Sequence, residues 1–270
     1  MTNFVKRTLS GSLFVIIIIA SILLNQYVFA GVFLTVCGWA LHEFHKITNN
    51  QNDVKVDNLV AVFGGILLFI CSFTYASKLL PFNIFLLYGY YIIIVFIYEL
   101  YLQKANPIHN WAYFILGQIL IALPFSLLNF ILNINDYQPL ILLSVFVTIW
   151  INDTGAYLTG VSFGKHRLFE RISPKKSWEG FIGGAIAALL SGFAFSMFIP
   201  EISLINWLVI SEIIVIFGTF GDLIESLMKR TLNVKDSGNI MPGHGGLLDR
   251  FDSMLLAAPA VLIYLSLLFK

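Results

Sequence analysis

The sequence predicts an all-α, polytopic integral membrane protein with about nine transmembrane helices, and three observations carry that prediction. Of the 270 residues, 58% are hydrophobic and 11% charged, with a mean hydropathy of +0.85; soluble domains carry about 25% charged residues. Apolar stretches of helical length recur along the whole chain. Threading nine spans in alternation places all but Lys78 and Lys270 of the 16 lysines and arginines on one face, the asymmetry expected of a cytoplasmic side.

The first two spans, 10–24 and 27–41, are separated only by Asn25 and Gln26. A single long helix or a re-entrant hairpin is the alternative, but fusing them moves Lys6 and Arg7 to the other face and weakens the charge asymmetry. They are therefore kept apart, with the N-terminus cytoplasmic and the C-terminus outside. Lys6 and Arg7 before an apolar run, with Val28-Phe29-Ala30 beyond it, loosely resemble a signal peptide; because the following segment is itself apolar, a retained helix is expected. Spans at 59–77, 84–102 and 111–133 follow, joined by short loops. Cys37 and Cys71 lie inside apolar runs without metal-ligand spacing and read as packing residues. His42 and His45, flanking Glu43, lack a third ligand and read as interfacial polar residues, and His109 and His166 carry no signal.

The later spans, 139–161, 179–199, 203–228 and 251–269, hold nearly all the chemistry. No linker, repeat or low-complexity tract is visible, so one membrane domain, 1–270, is expected, with N-terminal helices over 1–138 and the chemistry in 139–270. The dissimilar halves argue against an inverted-repeat transporter. The net charge of +1 is uninformative, and no nucleic-acid partner is expected.

Several polar residues stand where a bilayer should exclude them. The sixth span carries Asn152 and Asp153 in W-I-N-D-T-G-A-Y, and the eighth carries Asp222 and Glu225 in G-D-L-I-E-S-L-M-K-R. Each charge costs about 2.5 to 3.5 kcal/mol at the bilayer centre even on the lenient insertion scale. These residues should line a wet cavity, expected on the cytoplasmic side. Asp222, Glu225, Ser226 and Lys229 fall at i, i+3, i+4 and i+7, one stripe of a helix, with Gly218 and Gly221 allowing close approach of a neighbour. Asp249, Asp252 and Ser253 open the last span with a second stripe. By itself the eighth helix also admits a purely structural ion network with Lys229 and Arg230.

The stretch between those helices weighs against a purely structural network. Gly243, His244, Gly245 and Gly246 lead into the last span, and glycine-rich backbone before a helix offers N–H groups to phosphate. Lys229, Arg230, Lys235 and Arg250 surround it, and His244 is placed to donate to a phosphate oxygen. Carboxylates beside phosphates imply a bridging cation, and magnesium suits that role as a hard ion shared between carboxylates and substrate oxygens. A second cluster, Ser173-Pro174-Lys175-Lys176-Ser177, precedes a glycine-rich helix on the same face. Its basic residues also serve topology and attract anionic headgroups.

The 226–252 stretch, with Ser226, Lys229, Arg230, Lys235, Asp236, Pro242, His244, Gly245, Gly246, Asp249, Arg250 and Asp252, closely resembles the signature of the phosphatidate cytidylyltransferase (CDP-diacylglycerol synthase) family. Met241 stands where Leu, Ile or Phe is usual. The 153–184 stretch is similar to the family's second block, with Ser177 where Thr is commoner. The motif resemblance covers about 60 residues, and residues 1–150 match only in being hydrophobic and multi-span. It implies conversion of CTP and phosphatidate to CDP-diacylglycerol and pyrophosphate at a magnesium-dependent site in a bacterial-type inner membrane, with a second cation and a homodimer left open. On that resemblance Asp222 and Asp249 are assigned to magnesium, with Glu225, Asp252 and Asp153 as alternates or supporting groups. Lys229, Arg230, Lys235, Arg250 and the His244 loop are assigned to the triphosphate, and Ser173, Lys175, Lys176 and Ser177 to nucleotide or lipid phosphate. A CDP-archaeol synthase or CTP-dependent lipid kinase is the nearest rival, and an ion-coupled transporter the rival from another class.

Overall fold

Asn25 decides how the chain begins. Its backbone is extended and its Oδ1 accepts the N–H groups of Tyr27 (3.0 Å) and Val28 (2.9 Å), capping a new helix and ending the one before. In the computed structural model, which describes residues 3–51, 53–240 and 245–269, helices α1 (Asn3–Leu24) and α2 (Gln26–Thr48) are thus distinct. Lys270 lies outside the described residues. Then come α3 (Asn58–Ala76), capped by Asp57, α4 (Phe85–Tyr101), α5 (Pro107–Gly117) and α6 (Leu123–Leu132). A π-helical turn over Gln118–Ala122 joins the last two into one apolar span. Pro124, with no N–H to donate into the ladder, sits just after it.

The second half contains α7 (Pro139–Phe163), a short antiparallel hairpin of β1 (Arg167–Phe169) and β2 (Ser173–Ser177), α8 (Trp178–Phe198), α9 (Leu204–Thr231) and α10 (Asp252–Leu268). Among the described residues seven helices are long and apolar enough to cross a bilayer, while the apolar stretches Thr8–Leu24 and Asp252–Leu268 are shorter. Only 11% of the Phe82–Tyr101 span is buried. Leu190, Phe198 and Ile205 are each more than 60% exposed. Apolar exposure on that scale needs lipid as its solvent, and helices satisfy their backbone internally in lipid. This is an all-α integral membrane protein.

The chain gathers into two compact units, Met1–Tyr137 with Leu232–Phe251, and Gln138–Thr231 with Asp252–Lys270. In the first unit, α2 buries Phe29, Phe33, Cys37, Ala40, Leu41 and Phe44 on one stripe. Phe251 sets its ring edge-on to Phe14, Phe33 and Phe125, at 5.5, 6.1 and 5.1 Å. That ring, with fully buried Leu248, is why Leu232–Phe251 packs with the early helices although the sequence groups it with the later ones. Cys37 and Cys71 are both buried and free. In the second unit α7 packs along α8, and α9 lies against both α8 and α10 around buried Trp207, Ile214, Ala258 and Val261.

Candidate active site

The second unit builds its polar site where α9 meets α10. A Cβ on Gly221 would fall 2.5 Å from the Asp252 carbonyl oxygen and 3.2 Å from that of Ser253. The bare glycine therefore lets the start of α10 come against α9. That crossing brings Asp222, Glu225 and Asp252 together, with one carboxylate oxygen of each within 4.8 Å of the others. Glu225 is fully buried. Lys229 pairs with Glu225 one turn along the helix, and Lys176 of β2 pairs with Asp222. Ser226 Oγ donates to Asp222 Oδ1 at 3.2 Å, and Ser253 N–H donates to Asp252 Oδ1 at 2.6 Å. Three carboxylates face two ammonium groups, and the carboxylates are hard oxygen donors, a set suited to a divalent ion such as magnesium.

Beside it opens a cavity of about 270 Å³, lined by Asn152, Asp153, Lys175, Lys176, Ser177 and Asp222 among others. The hairpin carries the lysines to its wall. Between the spans that the sequence predicts at 139–161 and 179–199, the pairing of Arg167 with Ser177 and of Phe169 with Ser173 makes a two-stranded element. Glu179 fixes its base: the carboxylate accepts the N–H groups of Lys165 (3.1 Å) and His166 (3.2 Å) and meets His166 Nδ1 at 2.7 Å. His166, silent in the sequence, thus has a structural partner. Ser177 has two roles. It lines the cavity, and its Oγ accepts Gly180 N–H at 3.1 Å as the N-cap of α8. Asp153 is exposed on α7, with its Oδ1 3.5 Å from Asn152 Nδ2. Ser173 is half-buried at the start of β2. Arg230 is exposed near the end of α9.

Asp249 lies in the first unit. Its Oδ2 accepts from Ser237 N–H (2.9 Å), Ser237 Oγ (3.0 Å) and Gly246 N–H (2.7 Å). The N–H of Gly246, which the sequence reading offers to phosphate, is donated to the protein's own carboxylate. Gly245 has φ +83°, a left-handed conformation that glycine adopts without steric cost. One reason for the Gly-Gly pair is therefore a turn. Lys235, Asp236 and Arg250 are exposed around this segment. His244, with Met241, Pro242 and Gly243, lies outside the described residues. Glu43 is the residue that sequence reasoning underrates: read as interfacial, it is buried and bonded to Ser237 and Leu248.

The helices are those of an integral membrane protein, and Asp153, Asp222, Lys175 and Lys176 line one cavity within it. A sequence profile of the Cytidylyltransferase family matches residues 5–268. The phosphatidate cytidylyltransferase of Bacillus subtilis is 32% identical over 274 aligned residues, covering 99% of each chain. Those of Staphylococcus saprophyticus and Staphylococcus haemolyticus are 47% and 48% identical over 125 and 126 residues, about half of each chain. The chain belongs to the Cytidylyltransferase family.

Proposed function

We propose that the protein transfers CMP from CTP to phosphatidate, giving CDP-diacylglycerol and pyrophosphate, at a magnesium-dependent site on the cytoplasmic side of a nine-span membrane domain. The observation that carries this is the carboxylate trio Asp222, Glu225 and Asp252, flanked by Lys176 and Lys229 and sharing Asp222 with the adjoining cavity.

A phosphate monoester has its second pKa near 6 and is largely dianionic at pH 7. The headgroup therefore attacks the α-phosphorus of CTP without a general base on the protein. What the chain must supply is relief of repulsion between two anions, in-line placement, and stabilisation of the departing pyrophosphate. Lys175 and Lys176 on the hairpin are placed to take phosphate oxygens in the cavity. Lys176 is paired with Asp222, and on turning to phosphate it would leave that carboxylate available to a cation. Asp222, Glu225 and Asp252 would hold a magnesium ion, which would supply positive charge against the phosphate oxygens. Arg230, Lys235 and Arg250 add cationic charge for the triphosphate, and Asp249 sets the backbone from which Arg250 follows. About 14 Å of helix separates Asp222 from the end of α9, which suits a site serving one substrate dissolved in the bilayer and one in water.

The test is purified protein with radiolabelled CTP and phosphatidate, with and without magnesium. A CTP-derived lipid together with pyrophosphate is expected. Release of CDP instead would mark a lipid kinase, and cation-driven solute uptake without CTP consumption a transporter.

A further inference from the structure

The segment after α9 is tied to a residue that belongs to neither motif. Glu43, on α2, is 4% exposed. Its Oε2 accepts Leu248 N–H at 2.9 Å and the Ser237 hydroxyl at 3.2 Å. Ser237 and Gly246 are held from the other side by Asp249 Oδ2. Two carboxylates, one on a helix near the start of the chain and one in the segment itself, therefore fix the backbone at 237, 246 and 248. The glycines show how closely α2 approaches. For a Cβ built on Gly238, the three nearest atoms all belong to Glu43, with Cδ at 2.7 Å and Cγ at 3.2 Å. One built on Gly246 would fall 2.5 Å from Glu43 Oε2. All these contacts lie within the first unit.

We propose that Glu43 is a positioning residue for the cytidylyltransferase reaction. It acts through Ser237 and Leu248, holding the backbone that presents Lys235 and Arg250 to the triphosphate. The inference rests on the function proposed above. A buried carboxylate is tolerated only when its oxygens are hydrogen-bonded, and removing an acceptor strands its buried donors. Alanine at 43 leaves Leu248 N–H and the Ser237 hydroxyl without their acceptor on α2. Glutamine retains one oxygen for them.

The experiment is steady-state kinetics on the full chain in detergent micelles, varying CTP and phosphatidate separately. Glu43→Ala is expected to raise KM for CTP about tenfold while KM for phosphatidate changes little, and Glu43→Gln to recover most of the loss. Gly238→Ala is expected to raise KM for CTP in the presence of Glu43 and to add nothing in the Glu43→Ala background, where its clashing atoms are gone. The proposal is overturned by folded Glu43→Ala with unchanged kinetics, by equal increases in both KM values, or by Gly238→Ala costing the same with and without Glu43. If Glu43→Ala fails to fold, Glu43→Gln and Gly238→Ala decide, and an unchanged KM for CTP in Gly238→Ala overturns it. A wild-type protein that makes no lipid product overturns the assigned reaction and this proposal with it; an active wild type beside an unaltered Glu43→Ala overturns this proposal alone.

Discussion

Asp222 is where the demands on the site meet. One oxygen accepts from Ser226, the other pairs with Lys176, and the carboxylate shares its space with Glu225 and Asp252. Asn at this position keeps the shape and removes the charge. Asp222→Asn is therefore expected to lower turnover and to raise the magnesium concentration for half-maximal activity about 10- to 100-fold, measured by titrating the ion at saturating CTP. A folded variant with an unchanged magnesium titration would remove Asp222 from the metal site. Lys176 is expected to behave differently, because its partner in the reaction is phosphate. Lys176→Met should raise a substrate KM by about 10-fold or more, as for loss of a charge-assisted hydrogen bond of roughly 1.5 to 3 kcal/mol, with no rise in the magnesium requirement, because Asp222 loses a competing cation. Asp222, Glu225 and Lys176 are legible in the sequence because charged residues in an apolar chain announce themselves. Glu43 is not, because its partners stand 194 and 205 positions away and its neighbours His42 and His45 make it look like part of an interfacial polar patch.

At the scale of elements, the site depends on one close crossing and one cap. Gly221 lets α9 touch the first turn of α10, and any larger side chain would run into the Asp252 and Ser253 backbone. Gly221→Val should cost about 1 to 3 kcal/mol by overpacking, read as a lower thermal midpoint in detergent, and should lower activity beyond what the residual folded fraction explains. Ser177 ends β2 and caps α8. Ser177→Ala should cost about 1 kcal/mol, while Ser177→Thr, which retains an N-cap hydroxyl, should not. The helices themselves were legible from hydropathy, and the break at Asn25 followed from the charge asymmetry. The hairpin was not. Its strands are three and five residues long, contain a proline and several charges, and are fixed by Glu179 binding back to Lys165 and His166, a contact that no local pattern encodes. The π-turn over Gln118–Ala122 was likewise hidden, since a widened turn leaves the apolar run unbroken.

For the whole molecule, the distribution of lysine and arginine predicts that residue 270 lies outside and the 165–178 hairpin faces the cytoplasm. Reporter fusions at residue 270 and cysteine labelling at Lys175 are expected to report opposite sides, and a cytoplasmic residue 270 would contradict nine spans. The division into units is a feature that hydropathy could not supply. Leu232–Phe251 looks in sequence like a loop between α9 and α10, yet Phe251, Leu248 and the Glu43 contacts give it to the early helices. Together these parts are proposed to transfer CMP to a lipid phosphate in the presence of magnesium. The most direct test is the purified chain with α-labelled CTP and phosphatidate. Label in a lipid, equimolar pyrophosphate, and loss of both on chelation of magnesium are expected; a folded protein that leaves CTP intact under those conditions would rule the reaction out.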